Sequence, residues 1–316
     1  MKNYCILGNC QANAISATLQ VCAEFKENFS FTRTTPIHRT SVEEHRVFLT
    51  ETLPKTDLFI YQPISTKYRG GGFGFDSALP HLSGNANVVS FPSIQFYGYH
   101  ATAKPLSDIA PDIRQHSRLI FGLPTSELFH FSQLIVCFLR DIPQAEALYF
   151  FHEGFDGDAE FVSRRCSSSL AALRLSEEKH FIDARIHDMV ESTFRSEQLF
   201  WSPRHPSGKL LGFVAEAILR KIGITPTDDE RARFISRDPL RLPQYPLQEL
   251  VRNSLGIDFS PANQFSSKSK NLGLADLVGA YYELYQKIGK TELLRLAVVA
   301  YPNLKSLLST LSSRQY

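Results

Sequence analysis

The sequence predicts an α/β protein in which a parallel, doubly wound sheet is followed by a mainly helical remainder. Three observations carry this. Short apolar runs alternate with helical periodicity up to about residue 105. A turn carrying Gly8, Asn9, Cys10 and Gln11 joins the first run to the first helical face. Beyond about residue 105 the apolar spacing becomes that of long helices.

In chain order, Asn3 to Leu7 reads as a buried strand and the helix begins at about Gln11, with Ala12, Ile15 and Leu19 on one side. Phe29 to Thr34 reads as a second strand. A charged helix starts at Ser41, with Glu43 and Glu44 favourably placed in its first turn. Asp57 to Pro63 reads as a third strand stopped by proline, and Asn87 to Pro92 as a fourth. Strands separated by helices pair in parallel. Helical periodicity then covers Ser126 to Arg140, Asp158 to Leu175, Asp183 to Glu197, Pro206 to Ile222 and Leu274 to Ile288. Gly223 to Ser260 reads as irregular connection with short helices, and Ser266 to Lys270 as an exposed loop.

Composition excludes several functions. Lys and Arg number 34 against 32 acidic residues, so no overall field favours nucleic acid or an anionic membrane, and an anionic ligand needs a local cluster. No apolar stretch approaches the roughly 18 residues of a membrane span, and the N-terminus lacks a signal-peptide core, so a cytoplasmic location is expected. The five cysteines are odd in number and widely spaced without metal-ligand pairing; free thiols and no metal site are expected.

Four stretches carry candidate chemistry. Cys10 stands at a helix start on the carboxyl edge of the sheet, where unpaired backbone N–H groups favour a thiolate. Asn9 and Gln11 beside it offer amide donors for a developing oxyanion. In "QPISTKYRGGGFGFDS", Gln62 to Ser77, Lys67, Tyr68 and Arg69 precede a glycine run that lets backbone approach a ligand, although it matches neither a Walker loop nor a dinucleotide fingerprint. In "FWSPRHPSG", Pro206 suits a first helical turn and puts His205 at or beside the N-cap, where a neutral imidazole can accept a proton. In "SFPSIQFYGYHATAKP", Phe91, Phe96, Tyr97 and Tyr99 are aromatic enough to wall a pocket for a flat ring or a sugar face, beside His100 and Lys104. The acids of Phe151 to Asp158 lack a calcium loop's spacing and read as a helix-capping turn.

Together, "ILGNCQ", "YQPI" with "KYR", "FPSIQFYGYH" and "FWSPRHPSG" give the chain a resemblance, over nearly its whole length, to the WcbI family of capsular-polysaccharide biosynthesis proteins. The resemblance implies an SGNH-like or flavodoxin-like α/β part over 1–105, bearing the Cys10 turn and the Lys67–Arg69 loop. This part would be built into a mainly helical cradle over 106–316 that carries His205. It also implies a CoA-dependent O-acetyltransferase for a capsule deoxyheptose or its precursor, with acetyl-CoA as acyl donor, a sugar or polysaccharide as acceptor, and another capsule-biosynthesis protein as a candidate partner. Cys10 would stand where SGNH-type enzymes have a serine nucleophile, and His205 where they have the base. Those enzymes place an acid three residues before the histidine, whereas this chain has Ser202. CoA phosphates would be gripped by Lys67, Tyr68 and Arg69, with Gln62, Arg33 and Arg204 as further ligands. Two mechanisms follow: a ping-pong route through an acetylated Cys10, or direct attack by a sugar hydroxyl that His205 activates, which is favoured. The rival functions are an esterase or deacetylase using the same residues, and a noncatalytic CoA-binding subunit.

Overall fold

The computed structural model describes residues 1–302 except Ser126 and Ala262, together with Leu304 and Leu308. The chain folds into two units.

Unit 1 comprises Met1–Gln95, Leu170–Phe194 and Arg204–Arg241. Its centre is an all-parallel sheet of β1 (Lys2–Leu7), β2 (Phe29–Phe31), β3 (Leu58–Tyr61) and β4 (Asn87–Ser90), in the order β2-β1-β3-β4. The register pairs Leu7 with Tyr61 and Tyr61 with Ser90, which brings three carboxyl ends level. Residues of β1 alternate between two buried faces, as a doubly covered parallel sheet requires. Cys5 and Leu7 join Phe48, Leu53 and Phe59 on one side. On the other, the Tyr4 ring meets Phe25 edge-on at 4.9 Å, and its hydroxyl lies 2.9 Å from Ser16 Oγ on α1 (Cys10–Leu19). The short helix α2 (Ala23–Asn28) leads into β2. After β2, α3 (Val42–Val47) begins with a capping box in which Ser41 and Glu44 satisfy each other's backbone N–H. The helix Gly208–Lys221 packs on α1 and on the helix Asp228–Ser236.

Unit 2 comprises Phe96–Ser169, Arg195–Pro203 and Leu242–Tyr316. The helix Leu274–Ile288 is its hub, packing on Pro111–Phe121, Ser132–Leu139, Gln144–Glu153 and Lys290–Ala300. The short strands Ala103–Pro105 and Phe129–Phe131 pair antiparallel, as do Gln264–Ser266 and Asn271–Gly273. Its core holds many buried tyrosines whose hydroxyls are spent on carbonyls: Tyr281 donates to Phe129 O and Tyr282 to Ile142 O, the latter at 2.8 Å.

The expected α/β class and parallel sheet are what the structure has. Three expected helices are shortened by tertiary interactions or by a later cap. Of Ser126 to Arg140, Ser126 lies outside the described residues, Phe129–Phe131 is taken by strand pairing, and Ser132–Leu139 is helical. Of Asp183 to Glu197 only His187–Thr193 is helical, because Asp183 and Ala184 are held in an irregular bend by Ser90. Pro206 is extended and Ser207 is the N-cap, its Oγ accepting from Leu210 N at 3.5 Å, so His205 precedes the cap by two residues instead of occupying it. The Ser266–Lys270 stretch begins in a buried strand end, with Ser266 and Ser267 both buried.

Candidate functional site

The carboxyl edge of the unit 1 sheet gathers most of the residues singled out from the sequence. Gly8 follows β1 at a point where a Cβ would stand 3.1 Å from Gln62 Cβ and 3.2 Å from Phe91 Cζ, so the turn closes tightly only without a side chain. Asn9 caps α1: its Oδ1 accepts from Gln11 N at 2.8 Å. Its Nδ2 makes no hydrogen bond among the described residues. Cys10 opens the helix and is half-buried, whereas Cys5, Cys22, Cys137 and Cys166 are buried. Burial pushes the thiols of Cys5 and Cys137 up to about 12 and that of Cys166 to about 11, which leaves them protonated and inert at neutral pH.

Gln11 is fully buried and fully bonded. Its Nε2 donates to Ile94 O at 2.6 Å and to Arg204 O at 2.9 Å, while its Oε1 accepts from Ile94 N at 3.1 Å and Gln62 Nε2 at 3.2 Å. Both amide hydrogens are therefore committed, and the side chain that sequence reasoning offers as an oxyanion donor is instead a clamp. Gln62 is likewise consumed: Nε2 also donates to Pro92 O at 3.2 Å and Oε1 accepts from Asn9 N at 3.2 Å. A buried residue with every polar atom engaged does not reach a ligand phosphate, so Gln62 holds the turn.

The clamp brings together residues far apart in the chain. The Gln11–Arg204 bond spans 193 positions and joins the residue after Cys10 to the residue before His205. His205 is extended, half-buried and has a buried Nδ1; Arg204 is exposed. Sequence reasoning misses Ile94 and the Ser90–Asp183 pair. Asp183 accepts from Ser90 N and Oγ at 2.9 and 3.0 Å and pairs with Lys221 at 2.9 Å, fixing the end of β4. Their one sequence signal is the "FPSI" run, since an aspartate in a predicted helix carries none.

The phosphate ligands expected from the sequence lie in the loops that leave β2 and β3 at the same edge. Arg33 and Lys67 are exposed and form no ion pair among the described residues. Arg69 has a left-handed backbone (φ 49°); its Nη1 donates to Thr40 O at 2.5 Å and its guanidinium lies 5.1 Å from the Phe73 ring centroid. One nitrogen thus ties the β3 loop to the β2 loop and the rest remain open to a ligand. Tyr68 is half-buried, edge-on to Phe73 at 6.1 Å. None of these four side chains hydrogen-bonds to the Gln11 clamp among the described residues. Of the aromatic stretch, Phe91, Phe96 and Tyr99 are at most 1% exposed and so are core, not pocket wall; Tyr97 remains half-buried.

No curated protein matches the chain. A solved structure of WcbI, described as a novel polysaccharide biosynthesis enzyme and as the native protein without a disulfide bond between CoA and a cysteine, matches with a TM-score of 0.79. The match covers 98% of each chain at 21% identity, which establishes likeness of fold. The family model described as polysaccharide biosynthesis enzyme WcbI matches residues 3–227. Fold and family model agree, and the chain belongs to the WcbI family of polysaccharide biosynthesis enzymes.

Proposed function

We propose that this protein is a CoA-dependent O-acetyltransferase acting on a capsular-polysaccharide sugar, a deoxyheptose or its activated precursor, within the cytoplasm. The observation that carries the reading is the 2.9 Å bond from Gln11 to Arg204 O, which holds the Cys10 turn and the His205 strand in one neighbourhood. In this reading residues 1–105 supply the thiol turn and the phosphate loops, and 106–316 supply His205.

Acetyl-CoA supplies an activated acyl group. His205 accepts the proton of the acceptor hydroxyl as the hydroxyl oxygen bonds to the acetyl carbon, and returns it to sulfur as the C–S bond breaks. Asn9 Nδ2 and the α1 N-terminus stabilise the oxyanion that develops between those steps. Lys67, Arg33 and the uncommitted nitrogens of Arg69 hold phosphates; as cations without acidic partners among the described residues, they fit such a ligand. A second route is favoured by exposure. The solved WcbI is described by reference to a CoA–cysteine disulfide, and Cys10 is the thiol here that is not buried, so a Cys10 thioester intermediate stands beside direct transfer.

The test is calorimetric titration with CoA followed by acetyl transfer to a capsule-type acceptor. Binding with transfer that His205→Ala abolishes supports the reading. Coenzyme-free ester hydrolysis would make the protein an esterase, and binding without transfer a noncatalytic subunit.

A further inference from the structure

A cavity of about 560 Å³ opens within unit 1 where the end of α1, the short helix α2 and the end of the helix Asp228–Ser236 meet. Three cations line it: Lys26 from α2, and Arg233 and Arg237 from the end of the third helix, together with Gln20, Ala23 and Ser236. No acidic side chain lines it among the described residues.

The walls are fixed to each other by hydrogen bonds. Glu230 accepts from Ala23 N at 2.7 Å, across 207 positions of chain, and from Thr227 N at 2.8 Å; this buried acid is spent on joining the walls. Arg233 O accepts from Arg237 N and from Ser236 Oγ, each at 3.1 Å, which covers a helix-end carbonyl that would repel an anion. Lys26 and Arg237 form no ion pair or side-chain hydrogen bond among the described residues. Arg233 meets Asp229 at 3.1 Å, but both side chains are more than half exposed, and such a pair holds weakly against water. Gln20 gives one amide hydrogen to Tyr4 Oη at 2.9 Å and keeps the other. Three like charges gathered around one cavity repel each other, and only an anion inside it offsets all three.

We propose that this cavity binds the phosphate group of a phosphorylated small molecule other than CoA. A carboxylate brings one charge on two oxygens, whereas a phosphate monoester brings about two charges on three oxygens, the match for two guanidinium forks and an ammonium. The volume falls in the range of roughly 300–1,000 Å³ usual for small-molecule sites, so the body carrying the phosphate has room as well. Helix α1 runs ten residues from Cys10, which puts the cavity about 15 Å along its axis from that thiol, at about 1.5 Å per residue. It thus lies at the amino edge of the sheet, whereas Cys10 and the Lys67–Arg69 loop belong to the carboxyl edge. The site does not rest on the acetyl-transfer reading.

The test titrates the full-length protein with inorganic phosphate and, separately, with acetate at fixed ionic strength, with and without excess CoA, following the Arg237 side-chain Nε–H resonance. A saturable shift with phosphate that persists under CoA is expected, and none with acetate. Lys26→Met and Arg237→Met, the second followed by calorimetry, should each weaken phosphate binding by about tenfold or more, as loss of one charge-assisted contact implies. Lys26→Arg should retain it, as should Arg46→Met, which removes an exposed arginine paired with Glu43 away from the cavity. The cavity cations are exposed, so these variants should melt with the parent when phosphate is absent. No saturable shift, an equal shift with acetate, displacement of phosphate by CoA, or the same affinity in Lys26→Met as in Arg46→Met would overturn the site.

Discussion

Replacing Gln11 by Leu keeps the bulk of the side chain and removes all four of its side-chain hydrogen bonds. Gln62 Nε2 keeps Pro92 O as a partner, and Arg204 O, being only partly buried, can turn to water. Ile94 N–H and C=O are buried and have no such recourse, so each is left unsatisfied at about 1–3 kcal/mol. The sum is about 2–6 kcal/mol, a large share of the 5–15 kcal/mol on which a folded protein ordinarily rests. Native-state hydrogen exchange reads it directly: protection of the Ile94 amide should fall by roughly one to four orders of magnitude, at tenfold per 1.4 kcal/mol. Acetyl transfer should fall too, because the strand bearing His205 loses its tether. Unchanged Ile94 protection, with global stability within about 1 kcal/mol of the parent, would refute the clamp.

His205→Ala should leave CoA affinity in place and lower acetyl transfer by about 10²–10⁴-fold, measured by thiol release. Native protein should take up one equivalent of a thiol alkylating agent, at Cys10, and Cys10→Ala should take up none until denatured, read by intact mass. Gly208→Ala would put a Cβ 2.5 Å from Arg237 O and 2.6 Å from Ile235 O; both neighbours are backbone, so a loss of about 1–3 kcal/mol is expected in urea denaturation. Burial lowers His100 from 6.5 to about 4 and His130 to about 3, so the unfolded chain binds protons that the folded chain excludes. Their stability contribution is full above pH 6.5 and declines as pH falls toward 4, by up to about 1.4 kcal/mol per pH unit for each histidine. A urea midpoint that stays flat between pH 6.5 and 4.5 would contradict this.

The quantities that depend on neighbours in the chain were legible without coordinates. Apolar runs and turn residues located the four strands of the parallel sheet, the helix start at Ser41 and the helix Leu274–Ile288, since period and caps are local properties. The position of Cys10 at a strand-to-helix turn was equally local. Partnership was not. That Gln11 would spend its whole amide on Ile94, Arg204 and Gln62 depends on three segments folding to one sheet edge, and a glutamine reads the same whether it faces a ligand or a carbonyl. Likewise Ser90 took Asp183 out of its expected helix, and strand pairing took Phe129–Phe131, because a tertiary hydrogen bond outweighs the few tenths of a kcal/mol by which ordinary residues prefer a helix. The sequence by itself determined the four strands of the parallel sheet and where a thiol and an imidazole stand along the chain. Only the tertiary structure decided which polar groups remain free to do chemistry, since that is settled by who occupies each donor and acceptor after the chain has closed.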